Sequence, residues 1–178
     1  MIPLDLTRFI GRVYRAHHPM WAGDALSGMG AARHGGRFNR VGTPALYTSR
    51  DPMTAWAEAQ QAFPFKPQPM TLVAYDVDCE RLVDLTRPSV LRQLGSTPAD
   101  LACGWEGLAD LGIEPPTWML ADRLIGENVS GVVAPSYAPG AGAGATNVIF
   151  WRTEGACRVE AIDDFHRLPL GLGTSDEH

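Results

Sequence analysis

The chain reads as one α+β domain in which helices flank a mixed central β-sheet. Three observations carry that expectation. Its 178 residues suffice for a single sizeable core but not for two ordinary domains. Hydrophobic residues at 45% and charged residues at 20% lie near the globular average, which argues against disorder and fibrous repeats. Strand-like and helix-like segments interleave without a regular β-α-β period, so a doubly wound parallel sheet is not expected.

Alternating or β-branched runs predict strands at Gly11–His17, Ala45–Ser49, Thr71–Val77, Leu82–Leu85, Gly131–Ala134, Asn147–Trp151 and Arg158–Ile162. Between them, Asp51-Pro52 reads as an N-cap followed by proline at the first helical position, predicting a helix over Pro52–Ala62. Ala55, Ala57, Ala59 and Ala62 make that helix slender. Further helices are expected over Ser89–Leu94, over Pro98–Cys103 after a Thr97 cap, and over Pro116–Gly126, where Trp118, Leu120, Ala121, Leu124 and Ile125 form a wide apolar face. Nineteen glycines and 14 prolines concentrate in loops such as Phe63–Pro69 and Ala138–Ala145, and long connections of that kind often surround clefts. Pro139–Ala145 superficially resembles a dinucleotide-binding glycine loop, but it precedes a strand and lacks the following helix, so it reads as a surface loop. The domain is expected over residues 1–170, with a frayed tail over 171–178.

Several function classes lose ground on composition. No apolar run approaches the roughly 20 residues needed to cross a bilayer, and MIPLDLTRFIGRVYR lacks the pattern of a signal peptide, which leaves the cytoplasm as the expected location. A net charge of −5 without a Lys/Arg run disfavours direct nucleic-acid binding, and with it a ribonuclease. Cys79, Cys103 and Cys157 are widely spaced and odd in number, so the expectation is small buried residues, with neither a disulfide framework nor a zinc site. Only Lys66 is a lysine, so 14 of the 15 basic side chains carry the forked guanidinium that suits phosphate or carboxylate.

The densest functional inventory lies between Arg33 and Glu58: arginines, the Gly35-Gly36 pair, Tyr47, and a carboxylate that is the only charge between Asp51 and Lys66. It fits an anionic ligand better than a core. Tyr14-Arg15, Asp24–Gly28, Gly35–Asn39, Gly42–Tyr47 and Ala57-Glu58 form an ordered series, continued by Ala134–Ser136 and Thr146–Trp151. That series resembles the RES-domain family over most of Arg12 to Arg152.

The resemblance implies a fold similar to that of ADP-ribosyltransferase toxins and a chain that is the toxin of a bacterial toxin–antitoxin pair. It implies NAD+ as the substrate consumed and an antitoxin with an Xre-like helix-turn-helix as partner. Family members hydrolyse NAD+, split it with phosphate, or transfer ADP-ribose to a protein, phosphoribosyl pyrophosphate synthetase among them. The acceptor stays open here, because the segment between Arg15 and Gly35 is slightly longer than in some relatives and Leu91–Ile113 carries no recognisable motif.

Breaking a nicotinamide–ribose bond builds positive charge on the sugar, so an anion near that carbon and donors for the pyrophosphate are needed. Glu58 is the candidate anion; the alternative is a solvated helix face with Thr54 and Gln61. Arg37 after two glycines is expected to direct its fork at the pyrophosphate, against the alternative of a strand-edge salt bridge. Arg15, on an otherwise apolar strand, either points outward or meets something anionic, and is assigned to the ligand. The ring of Tyr47 is a candidate for stacking on nicotinamide or ribose, and is grouped with Glu58 and Arg37 as catalytic. Ser136, with no nucleophile elbow around it, is assigned a hydrogen bond to substrate, and Asn147 either contacts substrate or orients loops. No metal is expected, and the roles of His17, His18 and His34 stay open. A non-catalytic module that binds ADP-ribose or an anionic protein tail through the same arginines is the competing reading.

Overall fold

Thr71–Val77 and Leu82–Leu85, expected as two strands, merge into one that runs Thr71–Asp84 in the computed structural model, which describes residues 4–61 and 68–169. In chain order the elements are β1 (Leu6–His17), a 3-10 turn (Pro19–Asp24), α1 (Met29–His34), β2 (Leu46–Ser49), α2 (Pro52–Gln60), β3 (Thr71–Asp84), α3 (Pro88–Leu94), α4 (Pro98–Leu101), α5 (Trp105–Asp110), α6 (Pro116–Gly126), β4 (Gly131–Pro135), β5 (Thr146–Phe150) and β6 (Cys157–Ala161). The polar stretch that seemed to interrupt β3 is one face of it. Val73, Tyr75, Val77 and Cys79 are buried, while Asp76 and Glu80 alternate outward. Arg8 and Arg12 of β1 meet Asp78 and Asp76 across the ladder at 2.8 and 3.3 Å, which makes the charged face compatible with strand pairing.

The sheet is mixed, with strand order β1-β2-β5-β4-β3-β6 and a further pairing of β1 with β3. Those pairings bring β1, β2, β5, β4 and β3 into a ring, with β6 added to β3. Only β3–β4 is parallel. The ring closes narrowly between β1 and β2, through the single pair Tyr14↔Ser49, and the seam leaves room for a cleft.

Two apolar clusters hold this arrangement. One joins Val83, Val132 and Ile149 of the sheet to Val90, Leu101 and Leu124 of α3, α4 and α6. The other is almost wholly strand-derived and includes Val13, Leu46, Tyr75, Val148 and Phe150. Each such side chain contributes about 1.5–3 kcal/mol when fully buried, before the entropy of ordering it is counted.

Local chemistry explains most helix bounds. Asp51 accepts from Thr54 N at 2.8 Å and starts α2 as expected; Ala62 lies outside the described residues. Thr97 and Asp100 form a reciprocal capping box at α4, which ends at Leu101 rather than Cys103, and α3 starts one residue early at Pro88. Helix α6 has the bounds its apolar periodicity predicts. The 3-10 turn, α1 and α5 were not expected: each is six residues long, contains glycine, and lacks a sustained apolar stripe. Of the loop at 63–69, residues 63–67 lie outside the described residues, as does the tail 171–178.

The cysteine expectation needs correction. Cys79 and Cys157 are fully buried, but they are joined as a disulfide. They face each other in the β3–β6 register, 78 residues apart in sequence, a proximity that spacing along the chain does not reveal. Cys103 alone is free.

Candidate active site

A cleft of about 500 Å³ opens at the β1–β2 seam, within the size range of small-molecule sites. Arg15, Arg37, Tyr47, Glu58 and Asn147 all line it. Ser136 reaches the same place through Glu58.

Glu58 stands on α2, which the Asp51 cap and Pro52 launch from the end of β2. Its Oε1 accepts from Ser136 Oγ at 2.6 Å and from Asn147 Nδ2 at 2.5 Å, and its Oε2 accepts from Gln61 Nε2. The carboxylate is therefore tied to β5 and to the segment after β4 rather than loose on a helix face. Ser136 directs its hydroxyl proton at Glu58 and accepts from Ala138 N at 3.3 Å. Asn147 opens into the cleft from β5 with its amide nitrogen on Glu58.

Arg37 sits in a turn pinned from several sides. Trp118 Nε1 donates to Gly36 O and Trp151 Nε1 to Phe38 O, both at 2.8 Å. Tyr47 Oη accepts from Phe38 N at 2.9 Å and donates to Asn39 Oδ1 at 2.8 Å. The buried Asn39 amide then donates to the carbonyls of Ala31, Arg40 and Thr43. Gly36 is required by close approach: a Cβ there would lie 2.5 Å from Tyr47 Oη and 2.6 Å from Asn39 Oδ1. Among the described residues Arg37 makes no salt bridge. Its Nη1 donates to the carbonyls of Leu101 and Cys103 at 2.8 and 2.5 Å, and its guanidinium lies 4.8 Å from the Tyr137 ring centroid. Nε and Nη2 remain for a ligand.

Arg15 neither points outward nor meets a carboxylate among the described residues. Nη1 donates to the carbonyls of Ser27 and Ala25 at 3.0 and 3.4 Å, and Tyr75 Oη shares the Ala25 carbonyl at 2.6 Å. Burial lowers the Arg15 pKa, while the neighbouring Tyr75 and Asp24 act in the opposite sense. An incoming anion would offset that desolvation directly. Burial also raises Tyr47 far above the ordinary tyrosine value. With its hydroxyl committed to the Arg37 turn, Tyr47 has its ring face to offer a ligand. His17, buried at the end of β1, is held below its ordinary pKa by burial.

The cleft also contains residues not foreseen from the sequence. Trp105 and Glu106 enter from α5, and Tyr137 from the β4–β5 connection. Ser49, beside Asn147 on the β2–β5 ladder, donates to Asn147 Oδ1 at 2.7 Å. Ser49 had a legible signal as the polar end of an expected strand; α5 had none. Among the described residues no group of three or more His, Cys, Asp or Glu side chains is arranged to hold a metal ion.

Comparison with known proteins adds a family to this geometry. The model of the RES domain matches residues 12–170, which is most of the chain and every residue of the cleft. The chain belongs to the RES-domain family. Among solved structures, this RES domain is similar to a chain of the crystal structure of the M. tuberculosis MbcT–MbcA toxin–antitoxin complex, at 23% identity and a TM-score of 0.58 over 89% of this chain and 84% of that one. No curated protein sequence matches it. Among the described residues no helix is long and apolar enough to cross a membrane.

Proposed function

We propose that this RES domain is the toxin of a toxin–antitoxin pair and that it consumes NAD+ in the cytoplasm. The observation that carries the reading is Glu58, a carboxylate held by Ser136 and Asn147 in a cleft it shares with Arg15 and Arg37. Two guanidinium groups suit the two phosphates of a dinucleotide. A fixed carboxylate suits the cationic sugar formed when the bond from ribose C1′ to nicotinamide breaks.

Cleavage sends the bonding electron pair out with nicotinamide, which leaves as a neutral molecule. The carboxylate of Glu58 faces the charge that remains on the ribose, and an acceptor oxygen or nitrogen then bonds to C1′ and loses its proton to solvent. Ser136 and Asn147 act on Glu58: both donors keep the carboxylate in one orientation, which limits the reorganisation required as charge develops. The ring of Tyr47 is available to flank nicotinamide or ribose. Water, phosphate and a protein such as phosphoribosyl pyrophosphate synthetase are the acceptor classes the family offers. The fold belongs, on this reading, with the ADP-ribosyltransferase toxins; the structural similarity to a toxin–antitoxin complex supports an antitoxin partner, and the family resemblance makes that partner Xre-like. A carboxylate-bearing end of that antitoxin would suit Arg15 and Arg37.

Expression in a bacterial host tests the proposal. The wild-type chain should arrest growth and lower cellular NAD+, whereas Glu58→Ala should do neither at equal protein level. Arrest that persists in Glu58→Ala would refute the assignment.

A further inference from the structure

We infer that Ser49 is a positioning residue of this site, anchoring through one hydrogen bond the far end of the Asn147 amide, whose other end meets Glu58. The side chain of asparagine has a donor end and an acceptor end of nearly the same shape. A carboxylate only accepts, so Asn147 supports Glu58 when Nδ2 faces Oε1, the arrangement found at 2.5 Å. Rotated by half a turn, the amide would set Oδ1 against the carboxylate oxygen. That converts an attractive contact into a repulsive one at the group on which the chemistry depends.

The carboxylate sets the orientation of the amide, and Ser49 holds the amide in it from the opposite end. Its Oγ donates to Asn147 Oδ1 at 2.7 Å, and Oδ1 has no other hydrogen-bond partner among the described residues. The two residues are directly opposed on the β2–β5 ladder, so their side chains leave the sheet on the same face. The ladder is locked on both sides of that pair: Arg50 N donates to Thr146 O at 3.0 Å, and Thr48 Oγ1 to Val148 O at 2.7 Å. Ser49 itself is 2% exposed, while Asn147 is half-buried at the cleft wall. The second donor on Glu58 has an anchor of its own, since Ala138 N holds Ser136. Each donor on Oε1 is thus fixed by a residue that does not touch the carboxylate.

The catalytic readout of this inference rests on the NAD+-consuming reading above, so the test includes a readout that does not. Purified full-length wild type, Ser49→Ala, Ser49→Thr, Asn147→Ala and the Ser49→Ala/Asn147→Ala double variant are compared for nicotinamide release from NAD+. Ser49→Ala should lower kcat on the order of 10-fold with little change in KM, the signature of a misplaced group that acts in the transition state. Ser49→Thr keeps the hydroxyl and should retain most of kcat. In the Asn147→Ala background, Ser49→Ala should add no more than about twofold, because its route to Glu58 is already gone. A full further 10-fold loss there, or a change confined to KM, overturns the inference.

The second readout needs no substrate. The Asn147 side-chain amide should give two resolved proton resonances in wild type and Ser49→Thr, set apart by the bond to Glu58, and should lose that distinct environment in Ser49→Ala. If wild type releases no nicotinamide, the functional reading fails while the amide resonances still decide the role of Ser49. An unchanged Asn147 amide in Ser49→Ala would refute it.

Discussion

Replacing Gly36 with alanine would put a carbon 2.5 Å from Tyr47 Oη, 2.6 Å from Asn39 Oδ1 and 2.8 Å from Tyr47 Cζ. Gly36 has no positive φ, so the penalty comes from contact alone. Neither neighbour can yield cheaply. Tyr47 is held by Phe38 N and Asn39, and Asn39 by three carbonyls. Overpacking of this kind costs about 1–3 kcal/mol, and each buried hydrogen bond lost adds about 0.5–1.5 kcal/mol. Gly36→Ala should therefore destabilise the protein by about 3 kcal/mol, roughly 6–12 °C in Tm for a chain of this size. Because Arg37 is the next residue, NAD+ turnover should fall as well. Gly30→Ala is the control: no atom lies within 4 Å of its added Cβ, and alanine inside α1 should be neutral or stabilising by about 0.5–1 kcal/mol. Urea unfolding of both variants decides the matter. A Gly36→Ala protein within about 0.5 kcal/mol of wild type would show that the turn is not packed as described.

Two further outcomes follow from buried groups. Burial pushes the Tyr75 hydroxyl up to about 12, while an unfolded tyrosine titrates near 10, so at intermediate pH the unfolded chain releases a proton that the folded chain retains. Stability from this group is complete below about pH 10 and declines toward pH 12, by about 3 kcal/mol in all. Tyr47, also raised by burial, steepens the same slope. Urea unfolding from pH 8 to 11.5 should show the decline, and Tyr75→Phe should flatten it; an unaltered slope in that variant contradicts the assignment. Thiol titration in denaturant should find one reactive thiol per chain, from Cys103, and three after reduction. Three before reduction would refute the Cys79–Cys157 bond.

β2, β4, β5 and β6 lie within one residue of their expected bounds, and β1 starts five residues early at Leu6, because short apolar and β-branched runs are local information. The sequence divides β3 because Asp78, Glu80 and Arg81 interrupt its apolar run, and the charges of β1 that pair with that stretch lie about 70 residues away. α5 was invisible: WEGLAD has two carboxylates, a glycine and no side-chain cap, and it forms in a segment tied to Arg37 through the Leu101 and Cys103 carbonyls. The site divides along the same line. Arg15, Arg37, Tyr47, Glu58, Ser136 and Asn147 are legible through an ordered motif series, and Ser136 and Asn147 meet Glu58 directly. Ser49 and the disulfide depend on strand register, which pairs residues 98 and 78 positions apart. Periodicity carries no such information. The sequence leaves Arg15 open between pointing outward and meeting an anion, and the structure turns it inward to the cleft, where Nη1 rests on two carbonyls.

On the proposed function, Glu58, in a cleft lined by Arg15 and Arg37, assists the breaking of the nicotinamide–ribose bond of NAD+. Purified full-length chain incubated with NAD+ labelled in the nicotinamide ring tests it most directly, with and without phosphate and cell extract to expose each acceptor. Wild type should release free labelled nicotinamide in at least one condition, and Glu58→Gln should release it on the order of 100-fold more slowly. No nicotinamide release in any condition, or equal release by Glu58→Gln, would contradict it.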